Sequence, residues 1–423
     1  MENERFIRMQ ETTGIHLAME VEETLQQLQD FPDTPEAMDY FFDFFQKLFG
    51  KNHRLPDKKK IIGTLCLQVP DELILAAGAT PYRMCSGAYA YDQIGAEFMP
   101  AKSCPLVKAT TGMFHVKKER WPQQLDALVI PTTCDQKKKS CEILKEMGYP
   151  VFPLEMPATK ESEAARSYWQ ESVKQFTLDL QKITGNKVTR KKLREAIDLK
   201  GKGGRLFRKL HELRRSTPPL IFGKDILLVT NAYYLDDINQ WCAATERLLM
   251  ELEKRKAAAV HVGQRQAPRL LLTGSPPIFP NLKVPILVEQ AGGVIVADEV
   301  CSSNRLLYDA VAFDEENLND MVPAIADRYL KPCTCPCLTP NTDRQRRVLA
   351  LADSHKVEGV IYQAFSGCMP YEMEQKQIST ALGEAGIPML YLETDYSPED
   401  MGQLTTRVEA FIESIIARRR KAA

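Results

Sequence analysis

What this chain lacks narrows its function before any motif is considered. No stretch approaches the ~20 consecutive apolar residues that a membrane span needs, although 44% of its 423 residues are hydrophobic. The opening MENERFIRMQETTG has no apolar segment of the kind a secretory signal requires. These two absences predict a cytoplasmic protein that does not associate with membranes. An excess of charge of one sign is also missing. The 55 Lys and Arg residues nearly balance 56 Asp and Glu, for a net charge of −1, so no overall field draws the chain to nucleic acid or to an anionic bilayer. Histidine is sparse: His16, His53, His115, His211, His261 and His355 follow no ligand spacing, and no pair of CxxC motifs accompanies them. A mixed Cys/His zinc site is therefore weakly supported. There is no GxxxxGK[ST] phosphate loop, so nothing argues that this chain binds ATP itself. The GKGG at 201–204 reads as a glycine-rich turn in a basic helical region, not as a phosphate cradle.

Cysteine, by contrast, is abundant. Eleven in one chain are many for a reducing compartment, where disulfide frameworks do not persist, and the expectation moves to metal binding or redox chemistry. The length exceeds one ordinary domain and suggests two or three. Residues 1–60 read as a helical segment, with apolar residues at helical spacing in EETLQQLQDF and EAMDYFFDFFQKLF before the basic, turn-rich KNHRLPDKKK. From 61 to 160 strand and helix patterns alternate: IIGTLCLQV, the helix DELILAAG, a short strand leading to Cys85, DALVIPTT running into Cys134, the helix DQKKKSCEILKEMG and the strand YPVFPLEMP. Residues 161–256 read as a mostly helical, strongly charged spacer lobe. After a linker near KRKAAAVHVGQRQAP, a second strand and helix series fills 268–423, interrupted by the cysteine-dense KPCTCPCLTPN. The predicted fold class is α/β: two similar doubly wound parallel-sheet lobes, flavodoxin-like or Rossmann-like, with helical N-terminal and middle segments.

An internal repeat supports two lobes of one build. DALVIPTTC, a helix and GYPVFPLEMP in the first half parallel EGVIYQAFSGC, a helix and AGIPMLYLETD in the second. Upstream, LILAAGATPYRMCSG parallels LVEQAGGVIVADEVCSS, where a helix ends at Ala-Gly and a short strand delivers a cysteine followed by serine.

Open parallel sheets bind ligands beyond the carboxyl ends of their strands. Cys85, Cys134, Cys301 and Cys368 all fall at such ends, and Cys134 and Cys368 also precede helices, whose positive ends are expected to lower thiol pKa and favour an anionic cluster. The plain alternative is that a buried cysteine is only a small apolar residue. Two further thiols complete the set, Cys104 in SCPLVKA and one from Cys333, Cys335 and Cys337. This gives Cys85, Cys104 and Cys134 in the first lobe and Cys301, Cys337 and Cys368 in the second, with Cys335 as the alternate to Cys337. A cubane usually takes four cysteines, so three per lobe leaves one iron for substrate, another ligand or a bridge. Cys66 reads as lying inside a strand and Cys141 and Cys242 on helices, all three in packing roles. Lys137, Lys138 and Lys139, with Arg344, Arg346 and Arg347, follow ligand cysteines; they either offset cluster charge and receive a reductase or are solvated helix faces. Tyr89, Tyr91, Glu393 and Asp395 are candidates for hydrogen bonding around the cluster or for proton delivery.

At these residues the chain resembles the 2-hydroxyacyl-CoA dehydratase and benzoyl-CoA reductase superfamily, from Ile61 onward. The motifs that carry the resemblance are GTLCLQVPDELILAAGATPYRMCSG, SCPLVKA, VIPTTCDQKKK, RLLLTGSP, CTCPCLTPN, FSGCMPY and ETDYS followed by GQLTTRVEAFIE. The resemblance implies that a dehydratase subunit would hold one cubane through the positions of Cys85, Cys134 and Cys368. The extra cysteines look most like its double-cubane cluster proteins, homodimers with an [8Fe-9S] cluster in each chain. It also implies a separate ATP-hydrolysing iron–sulfur partner that supplies low-potential electrons, and small substrates of the acetylene, azide or hydrazine type. The alternatives kept open are a 2-hydroxyacyl-CoA dehydratase subunit with a single [4Fe-4S] cluster and, from another class, a non-enzymatic electron carrier or a zinc protein.

Overall fold

Two four-stranded, all-parallel sheets are built from the alternating pattern in a computed structural model that describes residues 2–49, 60–116, 124–303 and 310–422. The first sheet has β1 (Ile61–Thr64), β2 (Thr80–Arg83), β3 (Ala127–Pro131) and β4 (Val151–Leu154) in the order β2-β1-β3-β4. The second has β5 (Arg269–Gly274), β6 (Val294–Glu299), β7 (Gly359–Phe365) and β8 (Met389–Thr394) in the order β6-β5-β7-β8. The two orders are the same, so the sequence repeat is also a repeat of topology. Strands β1, β3, β5, β6 and β7 are buried along their whole length, which requires helices on both faces.

Those helices come from every part of the chain. The N-terminal segment forms α1 (Glu2–Gln29) and α2 (Asp39–Leu48). The first sheet is interleaved with α3 (Asp71–Ala76), α4 (Tyr89–Gly95), α5 (Pro105–His115) and α6 (Asp135–Glu146). Residues between the sheets form α7 (Glu163–Thr184), α8 (Arg190–Leu213), α9 (Gly223–Tyr233) and α10 (Ile238–Ala257). Side chains of Ser162, Thr189 and Asp237 cap α7, α8 and α10 by accepting from free N–H groups of their first turns. The second sheet is interleaved with α11 (Lys283–Gln290), α12 (Leu318–Leu330), α13 (Thr342–Ser354) and α14 (Met369–Glu384), and α15 (Met401–Ala422) closes the chain. Among the described residues no helix is long and apolar enough to cross a membrane.

Two local expectations fail, each for a readable reason. The GKGG segment does not interrupt its helix: α8 runs through it, with Gly203 and Gly204 buried. A Cβ at Gly203 would lie 3.0 Å from the Tyr233 ring, so the glycine permits close packing against α9 instead of breaking the helix. The strand expected over IIGTLCLQV ends at Thr64, which leaves Cys66 beyond its carboxyl end and not inside it.

One apolar core joins both sheets. It contains Leu128 and Ile130 of β3, Leu270 and Leu272 of β5 and Ile361 and Phe365 of β7, together with residues of α1, α2, α8, α9 and α10. A second core packs Trp169 and Val173 of α7, Leu193 of α8 and Ile325 of α12 against Ile62, Ala127 and Val129 of the first sheet. A helix from the C-terminal half thus covers the N-terminal sheet, fastened by hydrogen bonds from Arg166 to Asp327 at 2.9 and 2.8 Å.

Candidate metal centre

The carboxyl ends of both sheets carry thiols at repeated offsets. Cys66 lies two residues past β1, Cys85 two past β2 and Cys301 two past β6, while Cys134 lies three past β3 and Cys368 three past β7. Cys104, Cys134 and Cys368 occupy the N-cap positions of α5, α6 and α14. Cys335 and Cys337 sit on the turn between α12 and α13.

These thiols are neighbours. Cys104 hydrogen-bonds Cys368, and that contact together with burial holds the Cys368 thiol well above the ordinary range. The hydroxyl of Ser275, just past β5, also bonds Cys368. Cys335 hydrogen-bonds Cys337; with burial it pushes the Cys337 thiol up, and Cys134 adds to the shift. Burial likewise raises Cys134, with Cys368 and Cys335 adding to the effect and Lys137 opposing it. Burial raises Cys85, opposed by Arg83, which hydrogen-bonds it. The lowered thiol pKa expected from helix ends is not found: burial raises Cys134, and the contact with Cys104, then burial, raises Cys368. Such thiols keep their protons until a metal displaces them.

Lys137 stands among them. Its side chain keeps some exposure, but its ammonium is buried deeply enough that desolvation, which lowers its pKa, is the largest influence on it. The facing Cys66, Cys85, Cys134 and Cys301 reverse that effect and hold it well above its ordinary value. The other basic residues behave differently. Lys138 and Lys139 are exposed and pair with Asp135 and Glu142 on their own helix. Arg346 is exposed and pairs with Asp343. Arg344 is fully buried and paired with Glu299 and Glu374, so it is neither a solvated face nor a docking charge.

The cysteine-dense turn is anchored by the first half of the chain. Lys160 Nζ donates to the carbonyls of Lys331 and Cys333 at 2.9 and 2.8 Å, and Gln68 Nε2 lies 2.7 Å from the buried Cys333 sulfur. Thr334 donates to Glu299 at 2.6 Å, and Asn341 donates to the carbonyls of Thr334 and Cys335. Of the three cysteines in this turn, Cys333 is thus held by Gln68, whereas Cys335 and Cys337 stand within electrostatic range of Cys134. The two halves also meet through glycines. A Cβ on Gly87 would lie 1.8 Å from the Ile278 carbonyl oxygen, and one on Gly367 would lie 2.0 Å from that of Lys102.

The polar candidates are dispersed. Tyr89 starts α4 and its N–H donates to Glu20 at 2.8 Å. Tyr91 is buried in the main core, Glu393 is exposed on β8, and Asp395 accepts from the Ser397 N–H at 2.8 Å. His53 lies outside the described residues. Cys141 and Cys242 are buried on α6 and α10, as expected for packing residues. Sequence reasoning missed Cys66, Gln68, Gln136 and Lys160. Cys66 follows its strand at the same offset as Cys85 only because β1 ends at Thr64, a boundary that the apolar run hides.

Among the described residues no three His, Cys, Asp or Glu side chains are grouped closely enough to hold a single ion. Cys66, Cys85, Cys134 and Cys301 instead surround the Lys137 ammonium. Residues 66–415 match the family model described as 2-hydroxyglutaryl-CoA dehydratase, D-component. The Escherichia coli (strain K12) protein named "Putative dehydratase subunit YjiM" is 31% identical over 392 residues, covering 90% of this chain and 99% of its own length. The beta subunit of (R)-2-hydroxyglutaryl-CoA dehydratase from Acidaminococcus fermentans is 25% identical over 84% of this chain and 93% of its own length. A benzoyl-CoA reductase subunit from Thauera aromatica is 22% identical over 82% and 87%.

Proposed function

The chain belongs to the 2-hydroxyglutaryl-CoA dehydratase D-component family, and from that premise we propose that it is an iron–sulfur reductase whose cluster lies between its two sheets. The ligands are Cys85, Cys104, Cys134, Cys301, Cys368 and Cys337, with Cys335 as the alternate to Cys337. The observation that carries the reading is the convergence of thiols from both halves of the chain on Lys137. The six proposed ligands exceed what one cubane uses and suit an [8Fe-9S] double cubane; four of them, Cys85, Cys134, Cys301 and Cys337, interact with Lys137. The residues fit such a group: the donors are all sulfur, Cys104 is buried and the other five are half-buried, and Lys137 and three helix N-termini supply positive charge against an anionic cluster.

When bound, the cluster supplies low-potential electrons to a small, hard-to-reduce molecule of the acetylene, azide or hydrazine type. The chain's own residues hold and insulate it. Lys137 offsets negative charge, Arg83 donates toward the Cys85 sulfur, and Ser275 donates toward Cys368. With no phosphate loop of its own, the chain depends on a separate ATP-hydrolysing iron–sulfur protein for reduction, and it works as a cytoplasmic homodimer.

A second reading has one observation in its favour. The thiols of Cys134 and Cys368 interact electrostatically, and with Cys85 they stand at the three positions that the family resemblance gives to the single [4Fe-4S] cluster of a 2-hydroxyacyl-CoA dehydratase subunit. Iron and sulfide analysis after anaerobic purification separates the two readings: about eight irons per chain supports the double cluster, and about four overturns it in favour of the dehydratase. A colourless, zinc-containing protein would remove both.

A further inference from the structure

Gln136 occupies a place that no cysteine-centred account explains. It is the second residue of α6, immediately inside the turn that Cys134 caps. Its Oε1 accepts from the backbone N–H of Cys104 at 2.8 Å, and its Nε2 donates to the carbonyl of Gly367 at 2.9 Å. Cys104 belongs to the first half of the chain, while Gly367 belongs to the second and immediately precedes Cys368. A primary amide is the side chain suited to this task, because its terminus offers one acceptor and two donors in a single plane. Here it acts as an inserted peptide unit joining two backbones.

The surroundings leave little slack. Gly367 has φ +80° and packs on the Lys102 carbonyl so closely that no Cβ fits there. The Gly367 N–H is taken by Glu372 at 2.6 Å, and the Cys368 N–H by the Phe365 carbonyl at 2.8 Å. Within this junction Gln136 is the side chain that bonds both the Cys104 and the Gly367 backbones.

We propose that Gln136 is a positioning residue that sets the register between the two halves at the thiols of Cys104, Cys134 and Cys368, through paired hydrogen bonds to the Cys104 N–H and the Gly367 carbonyl. The idea builds on the cluster reading above but is testable without it. Replacing Gln136 by leucine keeps the bulk and removes both bonds. Gln136→Glu keeps an acceptor for Cys104 but presents oxygen to the Gly367 carbonyl, so it should fail to rescue the junction.

The decisive measurement uses full-length, metal-free protein and dibromobimane, in which two thiolates in turn displace bromide and become bridged. Peptide mass spectrometry follows the Cys104–Cys368 bridge, with the Cys335–Cys337 bridge as internal control, since both thiols of that pair lie in one turn whereas the bonds of Gln136 go to Cys104 and Gly367. In Gln136→Leu and Gln136→Glu the rate of Cys104–Cys368 bridging should fall at least fivefold, with the control pair unchanged. No change in either pair, or an equal fall in both, overturns the proposal. Iron content after anaerobic reconstitution is read in parallel. A wild-type chain that takes up no iron sinks the cluster reading and leaves the bridging result to stand on its own. A Gln136→Leu chain that loads fully, with unaltered spectra and unaltered bridging, sinks the positioning role and leaves the cluster reading intact.

Discussion

Replacing Arg344 by methionine should be among the most damaging single changes in the molecule, even though Arg344 belongs to a basic run that sequence alone assigns to solvent or to a docking surface. Its guanidinium has no exposure and lies 2.5 Å from Glu299 Oε2, also fully buried, and 2.6 Å from Glu374 Oε2; it also donates to Thr273 at 3.0 Å. Methionine fills most of the volume but takes the guanidinium away from the buried Glu299 carboxylate, which still accepts from the Thr334 hydroxyl. Breaking a buried pair from one side costs about 3–5 kcal/mol, a large share of the roughly 5–15 kcal/mol by which proteins are stable. Chemical denaturation followed by the fluorescence of the buried Trp169 and Trp241 measures this on the metal-free chain. The double variant Arg344→Met with Glu299→Gln removes the more deeply buried of the two stranded charges, leaving Glu374, keeps an acceptor for Thr334, and should recover part of the loss. A single-variant cost below about 1 kcal/mol, or a double variant no better than the sum of the two singles, would refute the argument that charge burial dominates this site.

Three further outcomes are expected. Cys301→Ala or Cys104→Ala should lower iron per chain after anaerobic reconstitution; unchanged iron removes that residue from the ligand set. Gly367→Ala forces a Cβ to within 2.0 Å of the Lys102 carbonyl at φ +80° and should destabilise by at least about 1–3 kcal/mol. A melting temperature equal to wild type would show that the junction is softer than argued. Burial, with Arg214 and Arg215 nearby, depresses His355 to about 4 in the folded chain. The unfolded chain binds that proton near pH 6.5, so stability from this group is complete above pH 6.5, falls as pH drops toward 4 and is then fully lost, by about 3 kcal/mol. Burial raises Glu20 and Glu289 to about 7, and they oppose this trend by favouring the folded state at lower pH. The test is therefore the difference between wild type and His355→Gln, which should shrink from pH 7 to pH 4. A difference independent of pH would remove His355 from the account.

Much of the fold was legible because strand and helix periods alternate plainly from Ile61 onward, and because DALVIPTTC and EGVIYQAFSGC mark equivalent places in what prove to be sheets of identical order. The cysteines at strand ends followed from the same pattern. Sequence periodicity could not show that β1 stops at Thr64, since the apolar run continues to Val69, and Cys66 was misplaced as a result. Nor could it separate Lys137, turned among the thiols, from Lys138 and Lys139, turned to water one and two positions later. The GKGG reading erred because glycine marks a turn and a close helix contact in the same way. The roles of Gln136, Gln68 and Lys160 depend on partners more than 160 residues away, and no local signal encodes them.

The single core that runs through both sheets has a bearing on how anything reaches the thiols. Two lobes joined by a linker can open like a jaw, swinging on a few residues over microseconds to milliseconds. Here β3, β5, β7 and helices α1, α2, α8, α9 and α10 share one apolar interior, and α12 crosses from one half to cover the sheet of the other. A jaw motion would expose that interior to water, at roughly 25 cal/mol for every Å² uncovered. Under the cluster reading proposed above, access to the thiols near Lys137 is then a matter of side chains and connecting turns moving over a fixed frame.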